Sequence, residues 1–322
     1  MLVQHDMQAA TNGGPHSNVD VRPSVPDILI HLHIPKTGGS SLNSMVQHAF
    51  ADAEVSDTMV IGSERYNCLG LAPYELCRER FASYAADDLR RIRYISGHLP
   101  MGMHHAFDRT AQYFTVIRHP VDRVISDFFF RIQDNEPFMK DGKLLSFEEY
   151  VESRYDVYLR DYQVRVISGS TEFEAPRPPL GTQISGPAVE HRHLEQAKRN
   201  IEEHFLAAAP LEKMTELALL IRRIYGWPMR RLLTEYKART RKRPRTDDVS
   251  PGLLRIIEDC NAYDLELYEW VAKRFAAQSA LFEPDLSRDA YVFNAVSQVL
   301  NGVGKVLPWT ARKRLAQLLF YA

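Results

Sequence analysis

Apolar positions along the chain switch between two spacings, and the switching predicts the fold. ILIHLHI (28–34) is a continuous apolar run bounded by Asp27 and Pro35, as expected of a strand buried on both faces. The spacing then changes. Leu42, Met45, Val46, Ala49 and Phe50 fall at helical intervals over residues 40–50, with Ser40 or Ser41 available as N-cap. RIRYISG (91–97) and QYFTVI (112–117) predict two further strands. The second runs directly into RHPVDRVISDFFFRI, where Val121, Val124, Ile125, Phe128 and Phe129 mark the buried stripe of another helix. Helical periods recur at 146–155, 187–204, 211–225 and 251–275, and FLAAA (205–209) reads as a short strand. Strands alternating with helices predict βαβ units and a mostly parallel sheet. Residues 1–26 mix Gly, Pro, Asn and Ser without a period and read as a disordered leader. LPWTARKRLAQLLFYA (307–322) reads as a basic amphipathic helix.

Composition narrows the classes. The chain has 322 residues, 45% of them hydrophobic, enough for a large core. A formal net charge of −1 confines anion binding to local sites and argues against a nucleic-acid-binding surface. Cys68, Cys77 and Cys260 are odd in number and scattered, which favours reduced thiols over a disulfide framework or a zinc site. The polar start lacks a signal-peptide core, and no apolar stretch approaches 18 residues. A cytoplasmic protein without a transmembrane segment is expected.

Between the first strand and helix lies PKTGGSS (35–41). It contains the components of a phosphate cradle in an order foreign to the nucleotide-triphosphate P-loop, whose lysine follows its last glycine. Here Lys36 precedes Gly38 and Gly39, and Ser40 and Ser41 follow. Glycines able to adopt positive φ let an anion approach consecutive backbone N–H groups, and the following helix adds its positive end. Thr37, Ser40 and Ser41 supply hydroxyls and Lys36 a mobile charge. The alternative is a plain β–turn–helix corner with a solvated lysine. A second corner follows Ile117, with Arg118 at the strand end and Ser126 two turns into the next helix. Ligands of open α/β sheets bind beyond the carboxyl ends of the strands, so both corners belong to one rim. A structural salt bridge is the competing role for Arg118.

HIPKTGGSSL and IRHPVDRVISDFF together resemble the two nucleotide-binding motifs of sulfotransferases that use 3′-phosphoadenosine 5′-phosphosulfate (PAPS). In that superfamily P-K-x-G-G-[ST]-[ST] holds the 5′-phosphosulfate and R-x-P-x-x-R-x-x-S the 3′-phosphate. YISGHLPMGMH, DYQVRVISG and NAYDLELYEWVAKRF are similar to the carbohydrate branch, which includes the heparan sulfate 2-O- and 6-O-sulfotransferases and bacterial relatives. The resemblance spans about residues 27–283. It implies a single α/β sulfotransferase domain with a P-loop-like parallel sheet flanked by helices, leaving 284–322 as a helical C-terminal extension. It further implies transfer of a sulfuryl group from PAPS to a hydroxyl, on a glycan or glycolipid, with no metal required. In that scheme Pro35, Lys36, Thr37, Gly38, Gly39, Ser40 and Ser41 cradle the phosphosulfate, and Lys36 neutralises the leaving group. Arg118 and Ser126 take the 3′-phosphate. The missing membrane anchor departs from the Golgi-resident animal members and points to a bacterial-type or cytosolic relative. A P-loop kinase acting on ATP is one alternative, against which the lysine-before-glycine order and the Arg118/Ser126 pair count; a relative of the same fold that only binds a nucleotide or glycan, without catalysis, is the other.

A hydroxyl acceptor needs a general base, and imidazole serves near neutral pH. Among twelve histidines, His98 stands at the position where the carbohydrate branch carries its catalytic histidine. His33 precedes the loop on a buried strand, so a hydrogen-bonded core role is expected; His104 and His105 share the His98 loop and are candidates for binding acceptor. His119 falls inside the second motif with a structural role as default. YKARTRKRPR (236–245) reads either as a solvated loop or as a lid whose Arg239, Arg241 or Arg243 binds PAPS or an anionic glycan. The 307–322 helix is expected to pack on the domain or a second subunit, with peripheral membrane contact as the bolder reading.

Overall fold

The structure, a computed structural model, describes residues 24–51, 58–60, 92–99, 101–133, 137–140, 142–173, 186–233 and 244–303, together with 311 and 315. Among the described residues, five strands form one sheet: β1 (Ile28–Leu32), β2 (Thr58–Val60), β3 (Tyr94–Gly97), β4 (Ala111–Ile117) and β7 (Phe205–Pro210). Their order is β2-β3-β1-β4-β7, with every neighbouring pair parallel. A separate antiparallel ribbon pairs β5 (Met139–Lys140) with β6 (Lys143–Leu144). The helices are α1 (Gly39–Ala51), α2 (Pro120–Gln133), α3 (Phe147–Ser153), α4 (Tyr162–Ser168), α5 (His191–His204), α6 (Met214–Tyr225), α7 (Pro251–Asp259), α8 (Ala262–Ala280) and α9 (Asp285–Val303).

Both faces of the sheet are covered, so β1 is buried at all five positions. Side chains alternate across a strand. Ile28, Ile30 and Leu32 enter one core with Val124 and Phe128 of α2, Ile167 of α4, Leu194 of α5 and Leu267 of α8. Leu29 enters the other with Phe114 and Val116 of β4, Leu42 and Val46 of α1, Leu217 of α6 and Phe293 of α9. The result is the expected α/β architecture, helices layered on both sides of a parallel sheet.

Local boundaries differ from the sequence-based expectation where tertiary contacts decide. α1 starts at Gly39, one residue before Ser40 and two before Ser41, because the Gly38 carbonyl already accepts from the N–H groups of Ser41 and Leu42. The helical period over 251–275 is two helices. Asn261 interrupts it: its buried side chain donates to the carbonyls of Leu159 (2.7 Å) and Ile257 (2.7 Å), which ties the break to α4's approach. α9 extends the fold beyond residue 283 and is held to α6 by Asp289, which accepts from Arg222 and Arg223. Residues 1–23 of the leader and most of 307–322 lie outside the described residues. No described helix is long and apolar enough to cross a membrane.

Candidate active site

The carboxyl ends of β1, β3 and β4 carry the candidate residues, and strand register brings them together. Leu32 pairs with Gly97, so the next residue on each strand, His33 and His98, meet side by side. Their rings stack at 4.6 Å with 22° between planes. The stack continues inward along the α1 face of the sheet, from His33 to His31 (5.1 Å) and from His31 to Phe114 of β4 (4.7 Å). His31 Nδ1 and Ser96 Oγ lie 3.0 Å apart. Gly39 seats the column: a Cβ there would stand 2.1 Å from Cδ2 of His33. His33 is thus a packed member of the site, close to the core role expected of it.

Burial favours the neutral form of His31 and His98. It pushes His31 down to about 3, with His98 adding repulsion. His98 is also pushed down by burial, to about 4, against opposing pulls from a hydrogen bond to the His33 backbone and the Asp127 carboxylate. Nδ1 of His98 is buried and makes no hydrogen bond among the described residues.

The loop after β1 is built on two left-handed residues. Lys36 has φ 68° and Gly38 φ 81°. Gly39 does not adopt positive φ, contrary to the expectation for both glycines; it is already helical, and its lack of a side chain serves the His33 ring instead. Thr37 is buried, and its hydroxyl donates to the Ile34 carbonyl at 2.9 Å, bracing the turn from inside. Pro35, Lys36, Gly38 and Ser41 are half-buried and Ser40 is exposed at the first turn of α1. The Lys36 ammonium lies 3.4 Å above the centre of the Phe130 ring of α2.

Arg118 joins the two corners. Its Nη1 donates to the Lys36 carbonyl at 3.1 Å. Its own backbone is gripped by a buried amide: Arg118 N–H donates to Gln163 Oε1 (2.8 Å), and Gln163 Nε2 donates to the Arg118 carbonyl (2.8 Å). Ser126 is buried at 3% exposure in α2. The structure therefore gathers Pro35–Ser41, His98 and Arg118 at one end of the sheet, with Ser126 buried in the helix that starts there.

Other expected residues fall elsewhere. His104 and His105 do not share the rim with His98. The His104 ring packs on Tyr113, near the start of β4, and on His204, just before β7, which puts it at the amino-terminal side of the sheet. His119 packs edge-on against Tyr268 of α8. Arg239, Arg241 and Arg243 lie outside the described residues. The chain resumes beside the second corner, where Thr246 Oγ1 donates to Asp122 of α2 (2.9 Å).

Three residues given no role by the sequence reading support the site. Gln163 and Val164 donate their N–H groups to the two oxygens of Asp264 (3.0 and 2.8 Å), and Asp264 N–H donates to Asp161 Oδ1 (2.9 Å). Burial raises both carboxyls, and repulsion from Asp264 adds to the rise of Asp161, to about 7. Arg123, fully buried, donates to the Tyr158 carbonyl and lies 5.0 Å from the centre of the Tyr162 ring. The available signal was their place in the quoted motifs: Gln163 in DYQVRVISG, Asp264 in NAYDLELYEWVAKRF and Arg123 in IRHPVDRVISDFF.

No curated protein matches the chain. A family model described as the sulfotransferase family matches residues 25–271, which takes in β1, the PKTGGSS loop, the Arg118 corner and most of α8; the chain belongs to the sulfotransferase family.

Proposed function

We propose that this protein transfers the sulfuryl group of PAPS to a hydroxyl acceptor on a carbohydrate, glycan or glycolipid, with His98 as general base. The observation that carries the reading is the Arg118–Lys36 contact, which makes two anion-binding corners into one site beside a histidine. The residues present fit the nucleotide. The start of α1 and the left-handed turn before it offer backbone N–H groups to the 5′-phosphosulfate. Lys36, now over the Phe130 ring, supplies a mobile charge to meet it. Arg118 and Ser126 take the 3′-phosphate, and Arg239 and Arg241 belong to a segment that resumes next to that corner. Thr37 contributes through its backbone, since its hydroxyl is engaged.

PAPS supplies an activated sulfuryl group, and negative charge builds on its 5′-phosphate as that group departs. Fixed positive charge and N–H dipoles aimed there stabilise the transition state without reorganisation. His98 is neutral at every pH well above 4, so it can accept the acceptor's proton at pH 7. A polyanionic nucleotide beside the ring favours the imidazolium and moves its pKa back toward the range where a base works best.

Because kcat/KM reports the free enzyme, its acid limb is expected near pH 4 instead of near the 6.5 of an unperturbed imidazole, with the limb of kcat at higher pH. His98→Ala is expected to lose roughly 10²–10⁴-fold in kcat while binding adenosine 3′,5′-bisphosphate as wild type does. Turnover unchanged by His98→Ala, measured with labelled PAPS and oligosaccharide acceptors, would remove His98 from the chemistry. Transfer to phenols or peptides with none to sugars would overturn the acceptor class.

A further inference from the structure

We propose that Gln163, held by Asp264, is a positioning residue for the nucleotide's 3′-phosphate: its amide extends β4 by one residue and so fixes the root of Arg118. The inference rests on the reading of Arg118 as a 3′-phosphate ligand.

β4 ends at Ile117, and its ladder with β7 ends at the Ile117–Pro210 pair. The peptide groups of Arg118 therefore leave the sheet with a donor and an acceptor to satisfy. A primary amide carries one acceptor and two donors in a plane, the same pattern a neighbouring strand would present. The fully buried side chain of Gln163 supplies it, with both bonds at 2.8 Å. A glutamate could accept but not donate, and an asparagine is one methylene short.

Gln163 is fixed in turn. It sits at the second position of α4, where the helix's first N–H groups have no partner within the helix. Asp264 reaches in from α8 and accepts from Gln163 and Val164 at once. This is a cap supplied from another helix, in place of an own N-cap: Asp161 at that position has φ 44° and makes no side-chain cap. Asp161 instead accepts from the Asp264 backbone, and its N–H donates to Asn261 Oδ1 (3.2 Å). Arg123, from the same helix as Ser126, stacks on Tyr162 and closes the other side. The chain of contacts runs from α8 through α4 to the Arg118 peptide, and from the Arg118 guanidinium to the Lys36 carbonyl. Neither Gln163 nor Asp264 need touch the nucleotide, yet the direction in which Arg118 leaves the sheet depends on them.

The test is calorimetric titration of the full chain with adenosine 3′,5′-bisphosphate and with adenosine 5′-phosphate, which lacks only the 3′ group. Wild type, Arg118→Ala, Gln163→Met, Gln163→Ala and Arg118→Ala/Gln163→Met are compared. Gln163→Met keeps the length and apolar packing while removing both amide bonds, so it carries the test if Gln163→Ala does not fold. Gln163→Met is expected to weaken the bisphosphate roughly ten- to a hundredfold, as loss of a supporting shell does elsewhere. The 5′-phosphate should change by less than about twofold, and the double variant should lose no more than about twofold beyond Arg118→Ala. Equal weakening of both nucleotides, or additive losses in the double variant, would show a general structural role and overturn the proposal. If Arg118→Ala lowers bisphosphate affinity and Gln163→Met does not, the positioning role alone fails. If Arg118→Ala leaves the preference for the bisphosphate intact, the assignment of the 3′ anchor fails and this inference with it.

Discussion

Lys36→Gly is expected to cost roughly 10²–10³-fold in kcat, about 3–4 kcal/mol of transition-state stabilisation, and to leave the fold as stable as wild type or more so. The two halves have separate causes. Lys36 holds φ 68°, a region that costs an L-residue roughly 1–2 kcal/mol and a glycine almost nothing. Glycine recovers that strain but adds entropy to the unfolded chain, so the net gain is at most about 1 kcal/mol. The contact of its ammonium with the Phe130 ring is a half-buried cation–π interaction worth about 1 kcal/mol, comparable to the strain recovered. Under the proposed function, a lysine kept in a conformation that glycine adopts more easily serves through its charge during reaction. Urea unfolding alongside kcat at saturating nucleotide separates the effects. Loss of activity accompanied by a comparable loss of stability would mean that Lys36 is structural.

Gly39→Ala is expected to be nearly as damaging for a steric reason. The new Cβ would lie 2.1 Å from Cδ2 and 2.5 Å from Nε2 of the His33 ring. That ring cannot swing aside freely, because it is stacked between His31 and His98. Either α1 shifts outward and opens the anion-binding turn, or His33 moves and displaces His98. Overpacking of this kind costs about 1–3 kcal/mol, and both routes also disturb the chemistry. Gly38→Ala meets a different obstacle. Its neighbour is the tip of Leu211, which can rotate, but φ 81° penalises any Cβ. Gly39→Ala/His33→Ala makes room for the methyl group, so stability should return without full activity. A Gly39→Ala single variant with wild-type kcat would contradict the packing described here.

The sheet was legible because β1 and β4 are apolar runs of strand length followed directly by helical spacing. The alternation within HLH even placed His31 and His33 on one face, although only register with β3 brings His98 beside them. The turn between β1 and α1 was legible from residue types, but not how they divide the structural work. Positive φ falls on Lys36 and Gly38, and Gly39 is small for the sake of a ring one residue beyond β1. Thr37 turns inward because the Ile34 carbonyl, just past the strand, has its lone pairs to satisfy.

What stayed illegible depends on partners far away in the chain. α4 is buried at all seven positions, so it shows no amphipathic period, and its cap comes from a residue 101 positions from Gln163. The break between α7 and α8 leaves the apolar period undisturbed, since it is set by Asn261 reaching the Leu159 carbonyl. His104 and His105 are close to His98 in sequence, yet the chain between them crosses from the carboxyl rim to the start of β4. Sequence proximity was a poor guide there because a parallel sheet sends each connection back to the opposite edge.

The central claim is that the rim recognises a 3′-phosphate as well as a 5′-phosphoryl group, and titration with adenosine 3′,5′-bisphosphate against ADP tests it most directly. The two nucleotides carry the same number of phosphates and differ in where the second one sits. The account predicts micromolar binding of the bisphosphate, about −8 kcal/mol, with ADP at least roughly a hundredfold weaker for want of the group that Arg118 and Ser126 hold, a loss of about 2–5 kcal/mol. ADP or ATP binding as tightly as the bisphosphate would contradict it, since a site built on PKTGGSS alone would not distinguish them.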